Sequence, residues 1–215
     1  MKQRIFMLVD FQNDFVDIDG ALSVKNPELI ERTQRFADCL QKTMFDEILV
    51  TADTHNPHTY PMSQEAKSFP PHCYEGKWGW EQAVQLKDNI PSRLLRKSGY
   101  DIWQEEKKYP ELQQNWQGKE VYLAGLVSDV CVQKAMDGFL KRGAKVIVFE
   151  DLTQGLQKQM NGIVAEDKYM NDVANGNLRL MTTKQFMRSM LAEKKSEYAQ
   201  RGKIELLRGG ERHER

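Results

Sequence analysis

Four short runs of uninterrupted apolar residues set the tightest limit on how this chain can fold: RIFMLVD (4–10), EILVTAD (47–53), EVYLAGL (120–126) and KVIVFED (145–151). A strand with one face in water alternates apolar and polar side chains. A strand covered on both faces does not, and continuous apolarity of this kind marks a parallel sheet held between two helical layers. NLRLMT (177–182) is a weaker fifth candidate. Helical patterns lie between the runs. In NPELIERTQRFADCLQKTMF (26–45), Asn26 is placed to cap and Pro27 to open a helix, on which Leu29, Ile30, Thr33, Phe36, Ala37 and Leu40 recur at helical spacing. SDVCVQKAMDGFLKRGA (128–144) starts with Ser128 as its cap and ends at Gly143, and 161–176 and 183–202 complete the helical set. Strands alternating with helices imply right-handed βαβ units. They predict an α/β fold, a three-layer α/β/α sandwich around a mostly parallel sheet.

The rhythm fails once. Residues 54–92 are proline-rich and carry no comparable run. Long irregular connections are uncommon in compact domains and often functional. The expectation is one domain over 1–206, with this stretch as an insertion and the charged LRGGERHER (207–215) as a flexible tail. A chain of 215 residues buries a sufficient core without staples. Its 31 basic and 31 acidic residues cancel, which argues against a nucleic-acid partner held by a general positive field. No segment approaches the roughly 20 apolar residues of a membrane span. The opening apolar run, IFMLV, is too short for a signal peptide, so the expected compartment is the cytoplasm. Three cysteines, Cys39, Cys73 and Cys131, are too few for a disulfide framework and read as free thiols.

In an open parallel sheet the reactive groups gather beyond the carboxyl ends of the strands. The first run ends at Asp10 and the second at Asp53, and the third leads through LAGLVSDVCV into Cys131 at the start of a helix. A helix N-terminus is partly positive and is expected to lower a thiol pKa below its free value of about 8.5. Asp10 would share that sheet edge as a proton acceptor. A cation to steady the thiolate could come from Lys97, with Arg93 and Arg96 as alternatives. His55, His58 and His72 fall within one short part of the irregular interval. Asp53 and His55, two residues apart in an extended segment, can face the same side. His72, stiffened by Pro70 and Pro71, can close on them from across the loop. One Asp and two His with water suit Zn²⁺, Fe²⁺ or Mn²⁺. There is no C-x-x-C pair for a structural zinc site, and no G-x-G-x-x-G or P-loop for nucleotide phosphates.

Taken together these stretches resemble the isochorismatase-like cysteine hydrolases, and among them the nicotinamidases. LVDFQNDFVDIDGALSV is similar to that family's first-strand motif, TADTHNPH with FPPHC to its metal segment, and LAGLVSDVCV to its nucleophile motif. The resemblance runs from about residue 5 to residue 183. It implies Cys131 as nucleophile, Asp10 as base and Lys97 as activating cation. It implies Asp53, His55 and His72 as ligands of a divalent metal, zinc first, with iron or manganese as alternatives. The fourth ligand would be Glu65, seven residues before His72, with His58 or water as alternatives. Backbone N–H groups of Val127 and Cys131 would form an oxyanion hole after a cis Leu126–Val127 peptide. Phe15 and Phe69 would flank a small-molecule substrate. The stretch KSGYDIWQEEKKYPEL departs from the family pattern after the lysine. The implied activity is hydrolysis of nicotinamide to nicotinate and ammonia, in pyridine nucleotide and NAD salvage. Hydrolysis of another small amide, and a non-catalytic metal-binding domain, are the competing readings. A homo-oligomer is compatible with the sequence; a nucleic-acid or membrane partner is not expected.

Overall fold

The structure is a computed structural model and describes residues 3–210. Six parallel strands form one sheet: β1 (Arg4–Val9), β2 (Glu47–Asp53), β3 (Arg93–Lys97), β4 (Glu120–Leu126), β5 (Lys145–Gln154) and β6 (Leu178–Met181). Their order is β3-β2-β1-β4-β5-β6. From β1 the chain winds outward through β2 to β3, and from β4 it winds the other way through β5 to β6. Right-handed crossovers in opposite directions put helices on opposite faces. Helices α1 (Asn13–Val16) and α2 (Pro27–Cys39) lie between β1 and β2 in the chain, and α3 (Gln133–Lys141) between β4 and β5. The face toward α3 buries Ile5, Met7, Leu49, Val121, Leu123 and Val146 against Val132, Met136 and Phe139. The other face is aromatic: Phe6 stands 5.6 Å from Phe36, 5.3 Å from Phe45 and 6.1 Å from Phe149 between ring centroids. The three-layer expectation holds for these elements.

The four central runs are buried almost throughout, as continuous apolarity requires. The two edge strands are half-exposed, which is why the sequence marks them weakly. Edge strand β3 has one of its outward peptides closed by a side chain. The Tyr109 hydroxyl accepts the Arg96 N–H at 2.8 Å and donates to the Arg96 carbonyl at 2.9 Å.

Several helices differ from expectation. Helix α2 stops at Cys39, where Leu40 turns extended, and the apolar spacing continues through a turn in which Met44 and Phe45 are buried. Asn26 does not cap it; its amide reaches the Gln154 side chain instead. The segment expected as a helix from Ser128 opens with one π turn, Ser128–Val132, and α3 follows. Ser128 does not cap this turn either, because its buried hydroxyl donates to the Lys158 carbonyl at 2.9 Å. The segment 161–176 breaks into α4 (Met160–Val164), one 3₁₀ turn and α5 (Met170–Ala174), with Glu166 extended at the break. Helix α6 spans Thr183–Gly210. The described residues divide into two compact units, one ending at Met181 and the other starting at Thr182. Of the tail expected at 207–215, residues 211–215 lie outside the described residues. Among the described residues no helix is long and apolar enough to cross a membrane.

Candidate active site

Strands β1 and β4 are neighbours from which the chain winds apart, so a crevice opens past their carboxyl ends. Their last residues make that crevice tight. Gly125 has φ +119°, and a Cβ there would stand 2.0 Å from the Val9 carbonyl oxygen, so β4 can approach β1 closely only with glycine at this point. Beyond Val9 the chain turns sharply at Asp10, a non-glycine residue with φ 44°. Thr51 holds that turn twice: its hydroxyl oxygen accepts the Asp10 N–H at 3.0 Å, and its hydroxyl donates to Asp10 Oδ1 at 2.6 Å. On the β4 side the Leu126–Val127 peptide is cis. The N–H groups of Val130 and Val132 both turn to the Val127 carbonyl, at 3.1 and 3.2 Å, and wind the π turn that carries Cys131. Val127 and Cys131, whose N–H groups are the expected oxyanion donors, lie just before this turn and within it.

Lys97 joins these parts. It ends β3 and is fully buried. Its Nζ lies 2.7 Å from Asp10 Oδ2, 3.4 Å from Asp53 Oδ1 and 3.6 Å from Cys131 Sγ. The alternatives, Arg93 and Arg96, face outward on the same strand, pairing with Glu111 and Glu75. Burial disfavours a charged lysine, but Asp10 and Asp53 overcome it and hold Lys97 protonated well beyond its ordinary range. For Asp10, burial outweighs Lys97 and raises the carboxyl pKa, making it a stronger base.

Cys131 departs from expectation. Its burial, reinforced by the charges of Asp10 and Asp53, pushes the thiol pKa well up despite Lys97. A turn's partial charge is too small to offset burial together with two carboxylates.

A second cluster adjoins it. Ligand atoms of Asp53, His55, Glu65 and His72 all lie within 4.8 Å of one another, and all four residues are buried. Both imidazole Nε2 atoms point at Asp53 Oδ2, His55 at 3.0 Å and His72 at 3.1 Å. Glu65 closes the group at 3.6 Å from His55 and 3.7 Å from His72, and its buried Oε2 has no hydrogen-bond partner. His72 Nδ1 lies 2.7 Å from the Pro70 carbonyl, which fixes that nitrogen as the donor and aims Nε2 inward. Burial works against charge on Asp53, yet Lys97 and the two imidazoles hold its carboxyl far below the carboxylate range. Burial and Asp53 raise the Glu65 pKa. Two imidazoles and two carboxylates converging on one point, one of their buried oxygens left without a hydrogen-bond partner, fit a divalent ion. His58 is exposed and apart from the group, its N–H bonded to Asn56 Oδ1.

The other expected residues fall around this centre. The Phe15 ring lies 5.4 Å and the Phe69 ring 6.4 Å from that of His72. Cys73 is buried, its N–H bonded at 2.6 Å to Asp14 Oδ2, and burial pushes its thiol pKa far up. Three residues escaped sequence reasoning. Thr51 stands two before Asp53 and so on the same face of β2, a signal that period-two reading could have used. Tyr60 packs against both imidazoles, its ring 4.6 Å from His55 and 5.4 Å from His72. Gln12 is fully buried between β2 and the loop, with nothing in its residue type to announce it.

Comparison with known proteins agrees with the fold. Nicotinamidase of Saccharomyces cerevisiae is 26% identical over 195 residues, 70% of this chain and 88% of that protein. Nicotinamidase/pyrazinamidase of Mycobacterium tuberculosis is 26% identical over 167 residues, 71% of this chain and 87% of that protein. Among solved structures, pyrazinamidase of Pyrococcus horikoshii in complex with zinc superposes with a TM-score of 0.63 at 21% identity, covering 84% of this chain and 99% of its own. PnC1 of L. infantum in complex with nicotinate superposes equally, with a TM-score of 0.63 at 21% identity over 86% of this chain and 94% of its own. The isochorismatase-domain profile matches residues 4–177, the whole stretch from β1 to the threshold of β6. The chain belongs to the isochorismatase family of hydrolases.

Proposed function

We propose that the chain is a nicotinamidase, a metal-dependent cysteine amidohydrolase that converts nicotinamide to nicotinate and ammonia in pyridine nucleotide salvage. The observation that carries this reading is the sharing of Asp53. Its Oδ2 faces the two imidazoles, while its Oδ1 faces the Lys97 ammonium that also touches Asp10 and Cys131. A donor set for a cation and a buried thiol–carboxylate–ammonium triad thus meet at one residue. The names of the curated relatives support the substrate.

Asp53, His55, Glu65 and His72 would hold the ion, zinc by preference, with iron or manganese as alternatives. Bound there, it supplies a Lewis-acid anchor that orients the substrate ring. Phe15 and Phe69 flank the ring and exclude water. Asp10 takes the Cys131 proton, its raised basicity matched to a thiol that is itself hard to ionise. Lys97 stays charged and offsets the negative charge throughout. The thiolate attacks the carboxamide carbon, and the N–H groups of Val127 and Cys131 donate to the developing oxyanion. Losing one such donor typically costs about 10²–10³ in rate. Asp10 returns its proton to the departing nitrogen, and ammonia leaves a thioester on Cys131. Asp10 then removes a proton from water as it attacks the thioester, and nicotinate leaves with the thiol restored.

Ammonia release from nicotinamide, measured before chelation, after it and after zinc is restored, tests the reading. Loss and recovery are expected. Turnover that survives complete removal of metal sinks the metal-dependent part, and a protein that hydrolyses other small amides but not nicotinamide sinks the substrate. Cys131→Ala should lower turnover by at least about 10⁴-fold with zinc content unchanged.

A further inference from the structure

Gln12 lies in the turn after β1 and is fully buried, and its side-chain hydrogen bonds go to main-chain groups rather than to other side chains. Its carboxamide is fully used. The side-chain oxygen accepts the Asp53 N–H at 2.8 Å, and the side-chain nitrogen donates to the Asp53 carbonyl at 2.9 Å and to the Trp80 carbonyl at 2.8 Å. The pairing of β1 with β2 runs out at Leu8 and Val50, and Asp10 then turns the main chain away. Asp53, three residues further along β2, would face that gap with a bare peptide. In a parallel ladder the neighbouring strand offers each such peptide one C=O and one N–H. The Gln12 carboxamide offers the same two groups in the same place.

The same residue also catches the returning loop. Its backbone forms an isolated antiparallel bridge with Gln82, flanked by Asn13 N–H to the Glu81 carbonyl at 3.0 Å and Ala83 N–H to the Phe11 carbonyl at 2.8 Å. The stretch carrying His55, Glu65 and His72 leaves the sheet at Asp53 and comes back at Trp80, and Gln12 holds both ends.

We propose that Gln12 is a positioning residue for the cation site: its side chain substitutes for a missing strand segment and fixes the Asp53 peptide, and with it the angle at which the four donors converge. The inference rests on the reading of Asp53, His55, Glu65 and His72 as a divalent-metal site. Gln12→Glu keeps the size but turns an oxygen toward two carbonyl oxygens, and Gln12→Met removes all three bonds. The probe is Zn²⁺ alone, its affinity read by competition with a chromogenic chelator on folded, metal-free protein. Both variants should bind zinc about 10–100-fold more weakly than the wild type. A residue that merely stabilised the fold would lower the melting temperature and leave the affinity of the folded protein unchanged, so variant affinities within twofold of wild type overturn the proposal. A wild-type protein that takes up no zinc overturns the metal reading itself and this inference with it. Should neither variant fold, amide hydrogen exchange in the wild type decides: slow exchange at Asp53 is expected, and exchange as fast as at the exposed loop overturns the proposal.

Discussion

Lys97 is surrounded by two carboxylates and a thiol, with no water-facing surface to relieve it. Removing one partner from a buried ionic group strands the rest, at a cost of about 3–5 kcal/mol. Lys97→Met should therefore cost that much in unfolding free energy, measured by denaturant titration, and abolish turnover. Glu65 and His58 provide a sharper contrast. Glu65→Gln should weaken zinc binding about 10–100-fold by chelator competition, and His58→Ala should leave it unchanged. Equal effects from the two substitutions would remove Glu65 from the donor set. The positions of Asp10, Asp53 and Cys131 were legible because strand ends are legible. The sign of the Cys131 pKa shift was not, because it depends on burial and on two carboxylates that arrive from other strands. Gln12 was illegible for a related reason: its partners are backbone groups of residues far along the chain.

Among the elements, the β1–β4 seam is the least tolerant. Gly125→Ala would set a methyl 2.0 Å from the Val9 carbonyl oxygen at φ +119°, so the strands must part. Left-handed strain and overpacking together should cost about 3 kcal/mol or more, read as a lower denaturant midpoint with an unchanged slope. Asp10 follows Val9 directly, so activity should fall further than stability explains. The central strands were read correctly from burial on both faces. Helix ends were not. Leu40, Met44 and Phe45 keep the spacing of a helix while packing from a turn, since burial asks only that apolar side chains reach the core. The stretch 161–176 reads as one helix, but Glu166 adopts an extended conformation and divides it. The prolines of 54–92 mark it as a break in the strand–helix rhythm, and its three short 3₁₀ turns lie below the length at which periodicity speaks.

For the whole molecule, two conditions should move stability in predictable directions. Burial pushes Tyr60 and Tyr122 up to about 12, assisted by Glu65 and Glu120 respectively. The folded state then keeps protons that the unfolded chain releases near pH 10, so this stabilisation is complete below pH 10 and is lost as pH rises toward 12. Absorbance of tyrosinate near 295 nm should rise late in the native protein, with unfolding accompanying it; tyrosines that all titrate near 10 without unfolding would contradict this. Zinc at about 100 times its dissociation constant should add about 2.7 kcal/mol, or a melting temperature higher by about 5–10 °C, and a chelator should reverse it. The Tyr109 phenol that closes the Arg96 peptide bears on a different property. An open strand edge is a template on which a second chain can add itself, and sheets guard such edges with whatever is at hand. Here part of that guard is one hydroxyl group. Tyr109→Phe should leave a fresh preparation fully active but shorten its life in storage, as light scattering grows with time and concentration. Shelf life would then depend on an oxygen atom that takes no part in catalysis.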